Sequence, residues 1–174
     1  MPKATAPKKT AVKPAAKKTT GKAKKIAPKK AAAADNNRIN IKYTDKSPGQ
    51  PHELVTIFES IKKMLLPYVK GDMKMHGGTG GQVSLVNHRP VEIEGRKKPE
   101  MWFAGALIQK GYVGFYFMPV YAEPSLTKQL HPDLAKCLKG KACFHIKKND
   151  PALMEHVKDA IRKGYEGYKK KGWI

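Results

Sequence analysis

The chain has 174 residues, 35 Lys and Arg against 14 Asp and Glu, and a formal charge of +21. That length fits one ordinary domain with a surplus segment, and two cysteines, Cys137 and Cys143, exclude a disulfide framework. The longest apolar run, residues 112–121, is too short to cross a bilayer and is interrupted by Gly114 and Pro119.

The charge is unevenly spread. Residues 1–34 hold 11 lysines, no arginine and no acid: Lys3, Lys8, Lys9, Lys13, Lys17, Lys18, Lys22, Lys24, Lys25, Lys29 and Lys30. The other large constituents are Ala, Pro and Thr, and the only large apolar residues are Met1, Val12 and Ile26. Such a segment cannot bury enough surface to offset an ordering cost of about 1–2 kcal/mol per residue, so a disordered tail is expected. It also lacks the apolar stretch of a secretory signal. The reading is therefore a soluble, cytoplasmic protein with reduced cysteines and no membrane partner.

Lysine on phosphate releases condensed counterions, which gives affinity that falls steeply with salt and carries no sequence information. The 11 tail lysines are thus the candidate nucleic-acid contacts, for DNA or RNA alike. The sequence PKK occurs at 7–9 and again at 28–30. In this repetition and in its Lys/Ala/Pro composition the tail resembles those of linker histones and bacterial histone-like proteins. That resemblance implies non-specific DNA association, in a nucleoid-associated setting, and does not extend to a linker-histone fold.

Residues 35–50 read as a polar linker, with a short strand expected around Ile39, Ile41 and Tyr43. Leu54, Ile57, Phe58, Ile61 and Leu65 then recur at helical spacing over 51–66, with Pro51 at the start and Pro67 as the stop. Short strands are expected at 72–76, 82–87 and 91–94. The glycine group Gly77, Gly78, Gly80, Gly81 separates the first two and reads as a hairpin turn, since no P-loop ending follows it. Two nearly continuous apolar runs, 101–109 and 112–120, flank Lys110-Gly111 and predict a central hairpin. Short helices at 126–130 and 132–138, a strand at 142–146 and a final helix from Pro151 complete the pattern. Asn149 or Asp150 is the expected cap of that helix, and Leu153, Met154, Val157, Ala160 and Ile161 its buried face. The fold class is α+β: an antiparallel-rich sheet with helices on one side, over residues 51–174.

The blocks 103–121, 134–148 and the closing GYEGYKKKGWI resemble the YdhG-like family of small bacterial domains of unknown function, a similarity running from Leu54 to Ile174. The resemblance implies a compact α+β fold and no known catalysis. One family member has been proposed as an iron chaperone with a frataxin-like role, so the alternative implied function is an iron or small-ligand carrier. The acids here are scattered, however, and Glu92 and Glu94 beside Arg96, Lys97 and Lys98 make a poor site for hard iron.

The six histidines show no HxxxH-type spacing and no CxxC accompanies them, so neither a metal site nor a cofactor is expected. Cys143 and His145 share a strand face but have no orienting acid, and no nucleophile–base–orienter set appears elsewhere; the chain is read as non-enzymatic. Two hairpin residues, Tyr112 and Tyr116, are candidate stacking platforms for single-stranded nucleic acid. The competing reading makes the hairpin aromatics core. The basic-aromatic end, Tyr165, Tyr168, Lys169–Lys171 and Trp173, either extends the polyanion surface or docks the last helix.

Overall fold

The computed structural model describes residues 42–174 apart from Thr79 and Glu94. The tail at 1–34, the first part of the linker and the strand suggested at Ile39 and Ile41 lie outside the described residues.

Helix α1 spans His52–Leu65, and its buried residues are the predicted stripe Leu54, Ile57, Phe58, Ile61 and Leu65. After a 3-10 turn over Leu66–Tyr68 come strands β1 (Met73–Gly77) and β2 (Gln82–Asn87), an antiparallel pair around the glycine loop. A separate small ribbon follows, β3 (Val91–Ile93) with β4 (Arg96–Lys98). Strand β4 is absent from the sequence expectation because a run of Arg-Lys-Lys carries no apolar signal. Its Lys97 stands opposite Glu92, the cross-strand pairing of opposite charges that holds such an exposed ribbon.

Strands β5 (Met101–Gln109) and β6 (Tyr112–Phe117) form the expected hairpin. Gln109 pairs with Tyr112, so only Lys110 and Gly111 make the turn, and Gly111 takes the positive φ of 83° that the tight reversal needs. The second run ends sooner than its apolar character suggests. Pro119 has no N–H to offer a ladder and instead opens a short helix, α2 (Pro119–Ala122). The helix expected at 126–130 is a 3-10 segment, Pro124–Gln129. The next is helix α3 (Pro132–Lys136), after which Leu138–Lys139 forms the short strand β7. Strand β8 (Cys143–Ile146) leads to helix α4 (Pro151–Lys170). Asp150 caps α4 by accepting from the N–H groups of Ala152 at 2.8 Å and Leu153 at 3.3 Å.

The six-stranded sheet is antiparallel throughout, in the order β1-β2-β5-β6-β8-β7. Period-two alternation gives it two unlike faces. One carries Val83, Leu85, Ala104, Ala106, Ile108, Val113, Phe115, Phe117, Phe144 and Ile146, all in one buried cluster with the stripes of α1 and α4. All five phenylalanines of the chain, Phe58, Phe103, Phe115, Phe117 and Phe144, are fully buried. Each contributes about 1.5–3 kcal/mol by leaving water. The C-terminus closes this layer: Tyr168 is buried, Trp173 meets it edge-on at 5.1 Å, and the Asn87 side-chain amide donates to the Trp173 carbonyl. Of the two roles open to the basic-aromatic end, docking is the one its rings perform, while Lys169 and Lys170 face water.

Candidate nucleic-acid interface

The other face of the sheet is built differently. Its positions are Lys74 and His76 on β1, Ser84 and Val86 on β2, Trp102, Gly105, Leu107 and Gln109 on β5, Tyr112, Gly114 and Tyr116 on β6, Cys143 and His145 on β8 and Lys139 on β7. None of these belongs to the buried cluster beneath the helices, and Trp102, Tyr112, Tyr116 and His145 all remain partly exposed. The aromatics of the hairpin are therefore divided. Rings without a polar atom face the helices, and rings with an N–H or O–H face outward, where that atom keeps a partner.

Tyr112 and Tyr116 both lie on this outer face, so the two candidate residues are brought together. Gln109 ties them: its side-chain N–H donates to the Tyr116 hydroxyl at 2.8 Å, and its oxygen accepts from the Tyr112 hydroxyl at 2.7 Å. His145 lies parallel to Tyr112 with ring centres 3.9 Å apart, and Trp102 lies beside Tyr116 at 5.8 Å with planes within 24°. Burial, and next the Cys143 thiol, push the Tyr116 phenol above its ordinary value, so it stays a neutral ring with a donor. Burial likewise pushes the Cys143 thiol up, which leaves it a poor nucleophile beside His145.

Two glycines shape the platform. A Cβ on Gly105 would stand 2.7 Å from the Val83 carbonyl and 3.1 Å from the Trp102 ring. One on Gly114 would press on Gln109, Tyr116 and Cys143 at 3.1–3.5 Å. Bare backbone at these points lets the rings approach the sheet.

Trp102 is the site residue that sequence reasoning missed, and a β-bulge explains why. Leu85 pairs with Ala104 but Val86 pairs with Trp102, so Phe103 is an extra residue. Simple alternation from Ala104 would send Phe103 outward and Trp102 into the core. The bulge restores Phe103 to the core, against Phe117, Tyr165 and Tyr168, and turns Trp102 to the outer face. There its Nε1–H donates to the Ala104 carbonyl at 2.9 Å.

The electrostatics match. The six strands contain no Asp or Glu, while Lys74 and Lys139 stand in its edge strands and Lys110 in the hairpin turn. The described chain begins at this face: Tyr43 stacks on His76 with centres 6.4 Å apart, and Lys46 N–H donates to the Gly80 carbonyl. The 11 lysines named from sequence all precede this point, outside the described residues. Glu92 is exposed on its ribbon, and Glu94 is not among the described residues.

Some histidines meet other potential ligands in the fold. His131, Asp133 and His156 bring their ligand atoms within 4.8 Å of one another, and His76 and His88 meet at 2.7 Å. Spacing along the chain shows neither group, because each joins residues from different elements.

Fold and face together define a small α+β protein whose sheet is helix-covered on one side and carries on the other a polar-aromatic platform on strands without Asp or Glu. No family model, curated protein or solved structure matches the chain. Among the described residues no helix is long and apolar enough to cross a membrane.

Proposed function

We propose that this is a non-enzymatic nucleic-acid-binding protein in which the lysine tail holds phosphates and the outer sheet face stacks exposed bases. The observation that carries this reading is the platform of Trp102, Tyr112, Tyr116 and His145, partly exposed on strands without a single carboxylate. Every base has a π-face, so stacking tolerates any sequence, and the preferred partner is a single strand, RNA or DNA. The tail works on any polyanion. Covalent linkage of a phosphate-binding tail to a stacking surface raises the effective concentration of each for a strand held by the other. The tail's Lys/Ala/Pro composition, like that of linker-histone tails, supports this division of labour, and a nucleoid-associated location would follow from it.

The alternative of an iron or small-ligand carrier has less support, since hard iron asks for clustered oxygen ligands and the platform strands have none.

Trp102 fluorescence tests the proposal directly. Single-stranded oligonucleotide is expected to quench it in the full chain and in a Trp173→Phe variant, where Trp102 is the sole tryptophan. Binding without any change in Trp102 emission contradicts stacking on this face.

A further inference from the structure

We propose that His76 and His88 form a binding site for a divalent transition-metal ion of the zinc class, with Glu100 as the group that orients it. The observation is one of direction. The two imidazole Nε2 atoms point at each other across 2.7 Å, with ring planes at 62°. The opposite nitrogen of His88, Nδ1, lies 2.8 Å from a carboxylate oxygen of Glu100, whose side chain is only 4 % exposed. A buried carboxylate next to Nδ1 keeps the proton there. It therefore leaves the Nε2 lone pair of His88 facing His76, the arrangement in which metal-binding histidines are oriented.

In the metal-free protein the two nitrogens share one hydrogen bond, the His76 Nε2–H donating to His88. A metal ion takes the place of that proton, which passes to His76 Nδ1 through solvent as the ring changes tautomer and stays neutral. With metal–nitrogen bonds of about 2.0–2.1 Å in tetrahedral geometry, the nitrogens separate to roughly 3.3 Å and both rings tilt, so that lone pairs now facing head-on converge on the ion. The His88 ring is 38 % exposed, which gives the ion an entry path and leaves its remaining positions to water or an incoming oxygen ligand. The Tyr43 ring lies nearly parallel to the His76 ring, with centres 6.4 Å apart. Lys74 occupies the strand position between the two histidines, and its exposed, flexible ammonium is free to turn away. Imidazole donors suit zinc, copper and nickel, a different chemistry from the carboxylate surface that iron delivery requires.

The His131, Asp133 and His156 group offers three donors but a worse geometry. Its imidazoles lie parallel at 3.6 Å, so their in-plane lone pairs do not converge. The His131 Nδ1 already accepts the Asp133 N–H, and Asp133 is paired with Lys136 at 2.8 Å.

The test is calorimetric titration of zinc chloride into the chelator-treated full chain, its His76→Ala, Glu100→Gln and His156→Ala variants, with cobalt absorption as a second readout. The expected result is saturable binding that falls at least about tenfold in His76→Ala and by about 10–100-fold in Glu100→Gln, with His156→Ala like the parent. His76 lies on an edge strand and outside the core cluster, so that variant keeps its fold even if Glu100→Gln does not. Unchanged zinc affinity in His76→Ala, loss confined to His156→Ala, or no saturable binding overturns the proposal.

Discussion

The two faces of one sheet are made from the same strands and nearly the same kinds of residue, yet they present different chemistry. Phe115 and Tyr116 are neighbours on β6. The first is fully buried against the helices; the second is partly exposed and hydrogen-bonded through Gln109 to Tyr112. One oxygen atom decides which side of the sheet each ring can serve. A buried phenol without a partner costs about 1–3 kcal/mol, whereas on the outer face it has a partner and remains available to a ligand.

The sharpest way to break this comparison is substitution on the covered face. Phe115→Ala is expected to cost about 3–5 kcal/mol of stability, read by denaturant unfolding, because it opens a cavity between sheet and helices. Tyr116→Ala is expected to leave the fold intact and to weaken single-strand binding by about 1–3 kcal/mol, roughly 5- to 150-fold by titration. A Tyr116→Ala variant that unfolds, or one that binds as before, abolishes the distinction between the faces.

A smaller effect sharpens it from within the core. Tyr168 is 2 % exposed, and its hydroxyl has no hydrogen-bond partner among the described residues. Tyr168→Phe is expected to raise stability by about 1 kcal/mol. The same burial pushes the Tyr168 phenol far above its ordinary value. A group whose folded pKa is raised contributes stability that is complete below the unfolded value, about 10, and is lost as pH rises beyond it. The parent protein is thus expected to lose stability above about pH 10 more steeply than Tyr168→Phe, measured by the unfolding midpoint against pH.

The smallest expected change is Gly114→Ala. Its methyl meets only side chains, Gln109, Tyr116 and Cys143, which shift by a few tenths of an ångström. Stability is expected to stay within about 0.5–1 kcal/mol while the displaced rings bind single strands less well. Equal losses at Gly114→Ala and at Gly105→Ala, where the methyl meets the Val83 carbonyl, count against a platform that is softer than the core beneath it.

The fold was legible wherever a periodic apolar signal existed: the α1 stripe, the limits of β2 and β5, the Lys110-Gly111 turn and the Asp150 cap. It was not legible where charge or backbone irregularity decided the outcome. Strand β4 has no apolar residue, and Pro119 cut β6 short inside a run whose composition still read as strand. Half of the platform was readable, in Tyr112 and Tyr116. Trp102 was not, because both faces of β5 carry apolar residues and only the bulge at Leu85/Val86 fixes which way its ring points. The histidine pair at His76 and His88 depends on two side chains leaning toward one another from different strand ends, which no spacing rule encodes.

In the proposed function, charge from the tail and stacking from the platform contribute separately to one binding event. The most direct measurement is the salt dependence of single-strand affinity for the full chain and for a chain beginning at Asn36. A steep loss with salt is expected for the full chain. The shortened chain is expected to show a shallower slope, by about 0.7 for each lysine contact removed, and residual binding that Tyr116→Ala abolishes. An unchanged slope after removal of the tail, or a shortened chain with no residual binding at low salt, contradicts it.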